Sequence, residues 1–478
     1  MRMTKIVATI GPASDDPSII RALIDEGADV FRLNFSHGTR EEHRTRIRKI
    51  REVAKQAGKD VAILQDLCGP KIRTGEMTNG CVTLETGSEV IVTSEKVSGT
   101  NKRFNCIYEH FSDDVEVGTK ILLDDGFMEL KAIKKTGKDV LCKVIVGGKL
   151  KSHKGMNLPG TKISSPSFTA KDQQDLLVGI EEKVDFVALS FVREPGDIEQ
   201  VRAVLRKHGC DTKMIIAKIE RPEAIKSISA IIDAADGVMV ARGDLGVEMD
   251  LAEVPILQKE IIRKAHMADK YVITATQMLE SMIQNSSPTR AEVSDIANAI
   301  IDGTDAVMLS GETASGQYPV KCVKMMSEIA CKTEEYLEKN RPLWSWERET
   351  GVTSPLQTAL GHAAMKLYED LSIKAILAFS ASGGTALYLS KGRPFAPIVA
   401  FTASEKVRRR MQLFWGILPV LNSNIHDKDD LKKAAIHYVK TTKLAKVGDR
   451  ILILVGTQFG QVGSTDSITI VQIHKDDK

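Results

Sequence analysis

Residues 214–248 read MIIAKIERPEAIKSISAIIDAADGVMVARGDLGVE, and this stretch decides the predicted fold. Met214–Ala217 and Gly237–Ala241 are apolar runs of strand length, and charged residues follow each run. Between them, Pro222–Ala235 has apolar residues at helical spacing. The pattern predicts a strand, a helix and a second parallel strand, with charged side chains collected at the carboxyl ends of the strands. Ligands bind at that edge in α/β folds.

The same alternation continues on both sides of this unit. Eight apolar runs of strand length, mostly separated by helical patterns, predict a (β/α)8 TIM barrel. We place this barrel domain in residues 1–69 and 170–340. Its predicted strands are Ile6–Ile10, Val30–Phe35, Val61–Leu64, Asp185–Phe191, Met214–Ala217, Gly237–Ala241, Tyr271–Ala275 and Ala306–Leu309.

Two further domains are predicted. The predicted fold class is therefore α/β, with a TIM barrel, an inserted all-β lid domain and a C-terminal α/β domain. Residues 70–169 have short alternating runs separated by Gly, Asn and Asp, which predicts an inserted β-barrel above the active edge. Residues 341–355 lack periodicity and are interpreted as a linker. Residues 356–478 resume the strand and helix pattern. The helices predicted there lie near Leu356–Tyr368, Thr385–Lys391, Lys406–Phe414 and Lys428–Thr442, and the strands are Ala375–Phe379, Ile398–Phe401, Ile451–Leu454 and Ile468–Ile473.

The composition is that of a soluble globular protein, with 66 Lys and Arg residues against 63 Asp and Glu residues in a chain of 478. A net charge of +3 gives no support for binding to nucleic acid or to a membrane surface. No apolar run approaches the length of a membrane span. The seven cysteines include no CxxC pair, which favours free thiols in a reducing cytoplasm.

Polar and charged residues follow nearly every predicted barrel strand. Any one of them could form an ordinary salt bridge at the rim, but a barrel core needs only aliphatic side chains there, so the whole set indicates a functional site. The set comprises Arg32, Asn34, Ser36, His37, Asp66, Arg73, Lys218, Glu220, Asp244, Thr276 and Ser310.

Glu220 and Asp244 are hard oxygen ligands on neighbouring strands, which suits Mg²⁺ completed by substrate oxygens. The alternative is that each pairs with a nearby Arg or Lys. Lys218 lies on the same side of its strand as Glu220, where it could neutralise a transferring phosphoryl group. A Schiff-base role for this lysine is a competing idea, although nothing nearby would depress its pKa. Gly243 and Thr276 could bind a substrate carboxylate.

Ser380–Thr385, with the sequence SASGGT, lies between a predicted strand and a predicted helix of the C-terminal domain. Backbone N–H groups at such a helix N-terminus can bind a phosphate. An ordinary glycine-rich turn is an equally good interpretation of the same letters. Neither GxxxxGK[ST] nor GxGxxG occurs in the chain, so any nucleotide is held in another way.

At these residues the chain resembles the pyruvate kinase family along nearly its whole length. The segments that carry the resemblance are KIVATIGPAS (5–14), RLNFSHG (32–38), DLCGPKIRTG (66–75), KGMNLPG (154–160), IIAKIERPEAI (215–225), VMVARGDLGVE (238–248), TATQMLESM (274–282), PTRAEVSDIANAI (288–300) and DGTDAVMLSGETASGQYP (302–319).

The resemblance implies transfer of the phosphoryl group of phosphoenolpyruvate to ADP in glycolysis, giving pyruvate and ATP. Glu220 and Asp244 would then hold Mg²⁺ or Mn²⁺, and Lys218 would stabilise the moving phosphoryl group. Thr276, Ser310 or a chain of water could deliver the proton to the enolate. The implied catalytic residues are Lys218, Thr276 and Arg32. The implied substrate-binding residues are Arg32, Lys218, Gly243, Asp244 and Thr276.

The nucleotide region and the regulatory properties are also implied only by the resemblance. The residues implied for ADP and ATP binding are Asn34, Ser36, His37, Arg73 and Lys154. The residues implied for an effector phosphate, from a sugar phosphate or a nucleotide, are Ser380, Ser382, Gly383, Gly384 and Thr385. The family is usually homotetrameric, and Ala381 and Gly384 replace basic side chains that some relatives use in the effector loop.

One departure from the family pattern concerns K⁺. Many relatives have Thr-Lys-Gly-Pro-Glu after the aspartate of the third strand, whereas this chain has Leu67-Cys68-Gly69-Pro70-Lys71. Leu67 lacks the threonine hydroxyl, and the Lys71 ammonium could stand in for the ion, so we expect that K⁺ is not required. Asn34, Ser36 and Asp66 remain, together with the Leu67 position, as a possible vestigial site for a monovalent cation.

Two other interpretations remain open. Another Mg²⁺-dependent barrel enzyme of the phosphoenolpyruvate and pyruvate type, such as a mutase or an oxo-acid lyase, would share the two carboxylates, but it would not need Lys154 or Arg73. A non-catalytic sensor would keep a functional C-terminal effector domain and have an inactive barrel. The presence of Lys218, Glu220 and Asp244 argues against such a sensor.

Overall fold

The computed structural model describes residues 1–340, 355–456, 463 and 465–477. All but the last residue of the predicted linker 341–355 lies outside these residues. In the described part of the chain, no helix combines the length and the apolar character required to cross a bilayer.

Eight parallel strands close into a barrel, as predicted. Around the barrel, the strand that begins at Lys5 pairs with the strands that begin at Val30 and Ala306, which completes the ring. The strands are Lys5–Thr9, Val30–Asn34, Ala62–Asp66, Phe186–Leu189, Met214–Ile219, Gly237–Ala241, Tyr271–Ala275 and Ala306–Leu309. They are buried on both faces, which is why the sequence shows them as continuous apolar runs.

Helices surround this ring. Those of the barrel domain are Pro17–Asp25, Arg40–Ala57, Ala170–Glu181, Pro195–Lys207, Pro222–Lys226, Ile228–Ala234, Arg242–Glu248, Val254–Met267, Arg290–Ile301, Gly311–Ala314 and Pro319–Asn340, with a 3-10 turn at Glu280–Ile283. The predicted single helix Pro222–Ala235 is wrong in one respect, because Ser227 separates two shorter helices. Arg242–Glu248, for which no helix was predicted, is a short helix.

The inserted segment is built almost entirely from strands, as predicted, but they form a six-stranded sheet and a separate two-stranded sheet rather than one closed ring. The larger sheet contains, in spatial order, Met156–Asn157, Lys120–Leu123, Met128–Thr136, Asp139–Val146, Glu89–Thr93 and Arg103–Asn105, and the smaller one pairs Gly148–Lys151 with Cys81–Leu84. The short helix Phe111–Asp114 and a 3-10 turn at Thr78–Gly80 complete the segment.

The C-terminal domain is a five-stranded sheet with helices. Its strands, in spatial order, are Ile417–Leu421, Ile398–Thr402, Ala375–Phe379, Arg450–Gly456 and the antiparallel Thr465–Gln472. Its helices are Pro355–Leu371, Gly384–Lys391, Glu405–Arg410 and Lys428–Thr441, with a 3-10 turn at Met411–Leu413. The predicted helix Lys406–Phe414 is therefore too long. Ile417–Leu421, an edge strand that contains Pro419, was not predicted.

The C-terminal domain covers the amino ends of the barrel strands, opposite the proposed site. The Tyr271 ring lies 6.0 Å from those of Phe186 and Phe414, so one apolar cluster extends from the barrel into the C-terminal domain. The fully buried Lys391 ammonium lies 2.7 Å from an oxygen of Asp305. The carboxyl ends of the strands thus remain available for a ligand.

Candidate active site

Lys218 and Glu220 lie at the carboxyl end of the fifth barrel strand. This strand continues to Ile219, two residues beyond its predicted end. It pairs with the sixth strand through Lys218 and Met239. Only 8% of Lys218 and 1% of Glu220 is exposed, so both charges lie in a nearly dry environment.

Lys218 is the centre of a buried group of charges. Its Nζ lies 2.8 Å from Glu220 Oε1 and 3.4 Å from Asp66 Oδ1, and it donates a hydrogen bond of 2.7 Å to Ser190 Oγ. Arg32 Nε donates to the other Asp66 oxygen at 2.7 Å. Burial alone would lower the pKa of Lys218, but the carboxylates of Asp66 and Glu220 outweigh it and raise the pKa. The lysine is therefore a fixed positive charge.

Asp66 has the opposite balance. Burial would raise the pKa of its carboxyl group, but Lys218 and Arg32 together lower it. Asp66 thus remains ionised and holds the two cations side by side. An anionic phosphoryl group placed against Lys218 and Arg32 would find both side chains already oriented.

The residues present fit a divalent metal ion. Asp244 lies in the first turn of helix Arg242–Glu248 and forms no hydrogen bond or ion pair through its side chain with the described residues. Burial raises the pKa of Glu220, Lys218 opposes this shift, and the Asp244 charge adds to it. No three His, Cys, Asp or Glu side chains in the described ranges form a complete metal site. Mg²⁺ typically binds one or two protein carboxylates and takes its remaining ligands from substrate and water. Glu220 and Asp244 would supply those two carboxylates.

Gly243 and Thr276 are in direct contact. The Gly243 N–H donates a 2.8 Å hydrogen bond to Thr276 Oγ1, which in turn donates to the Ala275 carbonyl oxygen at 2.6 Å. Thr276 has a φ of 69°, and Arg242 donates to its carbonyl oxygen at 2.8 Å. The two residues predicted to bind a carboxylate are therefore adjacent, although the Gly243 N–H already donates its hydrogen bond to Thr276.

Arg73 lies near His37, and both were predicted to bind the nucleotide. Burial lowers the pKa of His37, and the positive charges of Arg73, Lys71 and Arg32 lower it further. The inserted segment thus brings two cations, Arg73 and Lys71, close to the end of the second barrel strand.

The other residues predicted to contact the nucleotide make local bonds. Asn34 Oδ1 accepts a hydrogen bond of 3.1 Å from the Ser36 N–H. In the inserted segment, Lys154 Nζ lies 2.8 Å from Asp124 Oδ1. Arg73 donates to the His153 carbonyl oxygen at 3.0 Å, so Arg73 and Lys154 lie on adjacent chain segments of the insert.

The predicted vestigial cation site offers few free oxygen atoms. Both oxygens of Asp66 are in contact with cations. The Leu67 side chain is fully buried, and its carbonyl oxygen accepts a hydrogen bond of 2.7 Å from Ser190. Lys71 is exposed and forms no ion pair with the described residues, but its charge acts on His37.

The loop at 380–385 has the backbone expected of an anion-binding turn. Gly383 has a φ of 96° and precedes helix Gly384–Lys391. The Ser380 hydroxyl is buried and has no hydrogen-bond partner among the described residues. Ser382 is exposed, while Thr385 is buried with its hydroxyl 2.8 Å from that of Thr465.

Several residues near the site were missed by sequence reasoning. Ser190 directly follows the fourth barrel strand, so the strand-end rule could have found it, but a neutral hydroxyl attracts less attention than a charge. Glu248 lies one helical turn after Asp244, and Arg221 directly follows Glu220. Ser310, which was predicted, has a buried hydroxyl with no hydrogen-bond partner among the described residues.

The chain matches two family profiles. Residues 1–323 match "Pyruvate kinase, barrel domain", and residues 358–471 match "Pyruvate kinase, alpha/beta domain". It is 46% identical over 474 residues to pyruvate kinases of Geobacillus stearothermophilus and Staphylococcus aureus (strain COL), covering 98% of this chain and 80% of each relative.

A crystal structure of a pyruvate kinase from Cryptosporidium parvum superposes with a TM-score of 0.91 at 33% identity, covering 98% of this chain and 96% of that one. Sequence, domain order and three-dimensional structure therefore agree over nearly the full length. The chain belongs to the pyruvate kinase family of phosphotransferases.

Proposed function

We propose that the chain transfers the phosphoryl group of phosphoenolpyruvate to ADP, forming pyruvate and ATP, as a cytoplasmic enzyme of glycolysis. The observation that carries the proposal is the buried group formed by Lys218, Glu220, Asp66 and Arg32 at the carboxyl ends of the barrel strands. Phosphoryl transfer depends on positioning and on charges oriented in advance, which this group supplies.

In this reaction Arg32 and Lys218 would bind the phosphoryl group. The contact between Gly243 and Thr276 supports the proposal that these two residues bind the substrate carboxylate. The pKa of Lys218 is raised, so the lysine stays protonated and acts as a charge rather than as a nucleophile. Glu220 and Asp244 would hold Mg²⁺ or Mn²⁺, which supplies positive charge where negative charge develops on the substrate.

ADP binding is assigned to Asn34, Ser36 and His37 on the barrel and to Arg73 and Lys154 on the insert. The positive charges of Arg73 and Lys71 next to His37 support this assignment, because they suit a polyphosphate. The insert would exclude water from the transfer, since transfer of the phosphoryl group to water is wasteful.

K⁺ independence is part of the proposal. Asp66 already contacts Arg32 and Lys218, and Leu67 offers no side-chain oxygen. Lys71 brings a permanent positive charge to the same side of the site as His37. These features support a protein cation in place of the monovalent ion.

We also propose that a sugar phosphate or a nucleotide regulates the enzyme by binding to the loop at 380–385. The residues proposed to bind its phosphate are Ser380, Ser382, Gly383, Gly384 and Thr385. The buried Ser380 hydroxyl, which has no hydrogen-bond partner among the described residues, and the positive φ of Gly383 support it. A homotetramer is proposed as well. Leu251 and Ile256 are 74% and 64% exposed. In the described part of the chain, the edge strand Thr465–Gln472 pairs with a strand on one side only. Light scattering after size-exclusion chromatography measures the subunit number directly.

The function is tested by measuring pyruvate formed from phosphoenolpyruvate and Mg²⁺, with and without ADP. We expect pyruvate and ATP in equal amounts, and only when ADP is present. Conversion of phosphoenolpyruvate without ADP would indicate a mutase or a lyase. No conversion under either condition would indicate a protein that only senses ligands.

A further inference from the structure

The part of the insert that contains Asn157 contacts Glu248 of the barrel. Asn157 Nδ2 donates a 3.0 Å hydrogen bond to Glu248 Oε1, and Arg221 Nη1 lies 3.3 Å from the same oxygen. Arg221 Nη2 donates to the Thr161 carbonyl oxygen at 3.0 Å. One carboxylate of the barrel therefore joins a side chain of the insert to an arginine that itself binds the insert.

This contact is buried. Glu248 is 6% exposed and Arg221 is 5% exposed. The second Glu248 oxygen has no hydrogen-bond partner among the described residues. A buried carboxylate is costly unless it is paired, so Asn157 and Arg221 matter far more here than the partners of an exposed ion pair would.

The three partners lie next to the residues of the proposed reaction. Glu248 follows Asp244 by four positions on the helix Arg242–Glu248, so both side chains lie on the same helix face. Arg221 directly follows Glu220, and Asn157 lies three positions after Lys154. Glu248, Asp244 and Asn157 all line one cleft between the insert and the barrel.

The insert does not need this contact in order to stay attached. Arg193 donates hydrogen bonds of 2.7 Å and 3.1 Å to the carbonyl oxygens of Ile163 and Ser165. Its Nε also donates to Ser167 Oγ at 3.2 Å. Because Arg193 already holds residues 163–167 of the insert against the barrel, the bond to Glu248 affects the orientation of the insert rather than its attachment.

We propose that Glu248 is a positioning residue that, through Asn157 and Arg221, fixes the insert relative to Glu220 and Asp244. It thereby sets how far Lys154 of the insert stands from the phosphoryl group bound on the barrel. This role rests on the proposed function, because it concerns the meeting of nucleotide and substrate. In this role Glu248 acts through its contacts with Asn157 and Arg221.

The test exchanges the donor and the acceptor of the hydrogen bond. Asn157→Asp places a carboxylate against Glu248 and removes the bond. Glu248→Gln in the same chain supplies an amide donor to the new aspartate and restores the bond with reversed roles. Asn101→Asp, on the exposed surface of the insert, is the matched control for the charge change.

We expect Asn157→Asp to raise the KM for ADP by about tenfold, the scale of one lost hydrogen bond to a charged group. The KM for phosphoenolpyruvate should change by less than about twofold, since the barrel site is intact, and most of the loss should return in the double variant. An unchanged KM for ADP in Asn157→Asp, or no recovery in the double variant, overturns the proposal.

Hydrogen–deuterium exchange of peptides that cover 155–163 separates this inference from the proposed function. Faster exchange in Asn157→Asp and recovery in the double variant are expected even if the wild-type chain makes no pyruvate. The comparison includes the wild type, Asn157→Asp, the double variant and Asn101→Asp. If the wild-type chain is active but residues 155–163 exchange at the same rate in all four proteins, the proposed role of Glu248 is wrong while the proposed function stands.

Discussion

Lys218 Nζ lies 2.8 Å from Glu220 Oε1, and both residues are more than nine-tenths buried. The two residues are two positions apart at the end of one strand, so they share a face. The carboxylates around Lys218 raise the pKa of its ammonium group against the effect of burial. A Schiff-base role requires a neutral amine, and this pairing therefore disfavours it.

Glu220→Gln and Asp244→Asn should each weaken the binding of Mn²⁺, measured as free Mn²⁺ by electron paramagnetic resonance. Each variant removes one anionic oxygen ligand, and we expect at least about tenfold weaker binding. Glu116→Gln, on the exposed surface of the insert, is the control. Wild-type affinity in both Glu220→Gln and Asp244→Asn would show that the metal is held elsewhere.

The same measurement should depend on pH. Burial and the Asp244 charge raise the pKa of Glu220, so in the metal-free protein it keeps its proton to a higher pH than an ordinary glutamic acid does. Because the metal must displace that proton, Mn²⁺ affinity should increase with pH above the range in which an ordinary glutamic acid loses its proton. Glu220→Gln should lose this dependence. An affinity independent of pH in the wild-type protein contradicts the assignment of Glu220.

Activity in tetramethylammonium buffer should approach that in K⁺ buffer, because Lys71 supplies a permanent positive charge near His37. Lys71→Glu reverses this charge at an exposed position, so the fold should be unaffected. We expect K⁺ to stimulate this variant by about tenfold or more, since an ion would again balance the phosphates. Strong stimulation of the wild-type protein by KCl would refute the interpretation of Lys71.

Ser382→Asp should abolish activation by a phosphorylated effector and leave unstimulated activity intact. Ser382 is exposed in the loop before helix Gly384–Lys391, where a carboxylate would repel a phosphate. Ser423→Asp, on the exposed surface of the same domain, is the control. The measurement is activity with fructose 1,6-bisphosphate, ribose 5-phosphate and AMP in separate assays. Full activation of Ser382→Asp by any of them would count against this loop.

Phe414→Ala should lower the free energy of unfolding by about 3–5 kcal/mol, the usual cost of removing a buried aromatic side chain. Phe414 is 1% exposed and packs against Tyr271 across the junction of the barrel and the C-terminal domain. Phe127→Ala, at a position 78% exposed, is the matched control and should change little. Urea denaturation measures both. Equal stability of the two variants would mean that the junction contributes little.

The barrel was predictable because its strands are buried on both faces. Gly237–Ala241 and Tyr271–Ala275 appear in the sequence as apolar runs bounded by charge, and the structure confirms both with the same limits. Ile417–Leu421 was missed because Pro419 argues against a central strand, although an edge strand tolerates it. Helix Arg242–Glu248 was missed because Gly243 and Gly246 both disfavour a helix.

The convergence of Lys218, Glu220 and Asp244 was predictable from one rule, which is that parallel strands end at the same edge. Contacts that depend on how the insert returns to the barrel were not. The bonds from Asn157 to Glu248 and from Lys154 to Asp124 join residues whose proximity depends on the path of the whole insert, and no local pattern encodes that path.

In the proposed reaction, Lys218 acts as a fixed charge on the phosphoryl group during its transfer. The most direct test is the kcat for pyruvate formation from phosphoenolpyruvate and ADP in Lys218→Met, compared with Lys207→Met at an exposed helix end. We predict that kcat falls at least about 100-fold in Lys218→Met, as for the loss of a transition-state contact, and stays at the wild-type level in Lys207→Met. A kcat within about threefold of wild type in a folded Lys218→Met protein would contradict this role of Lys218.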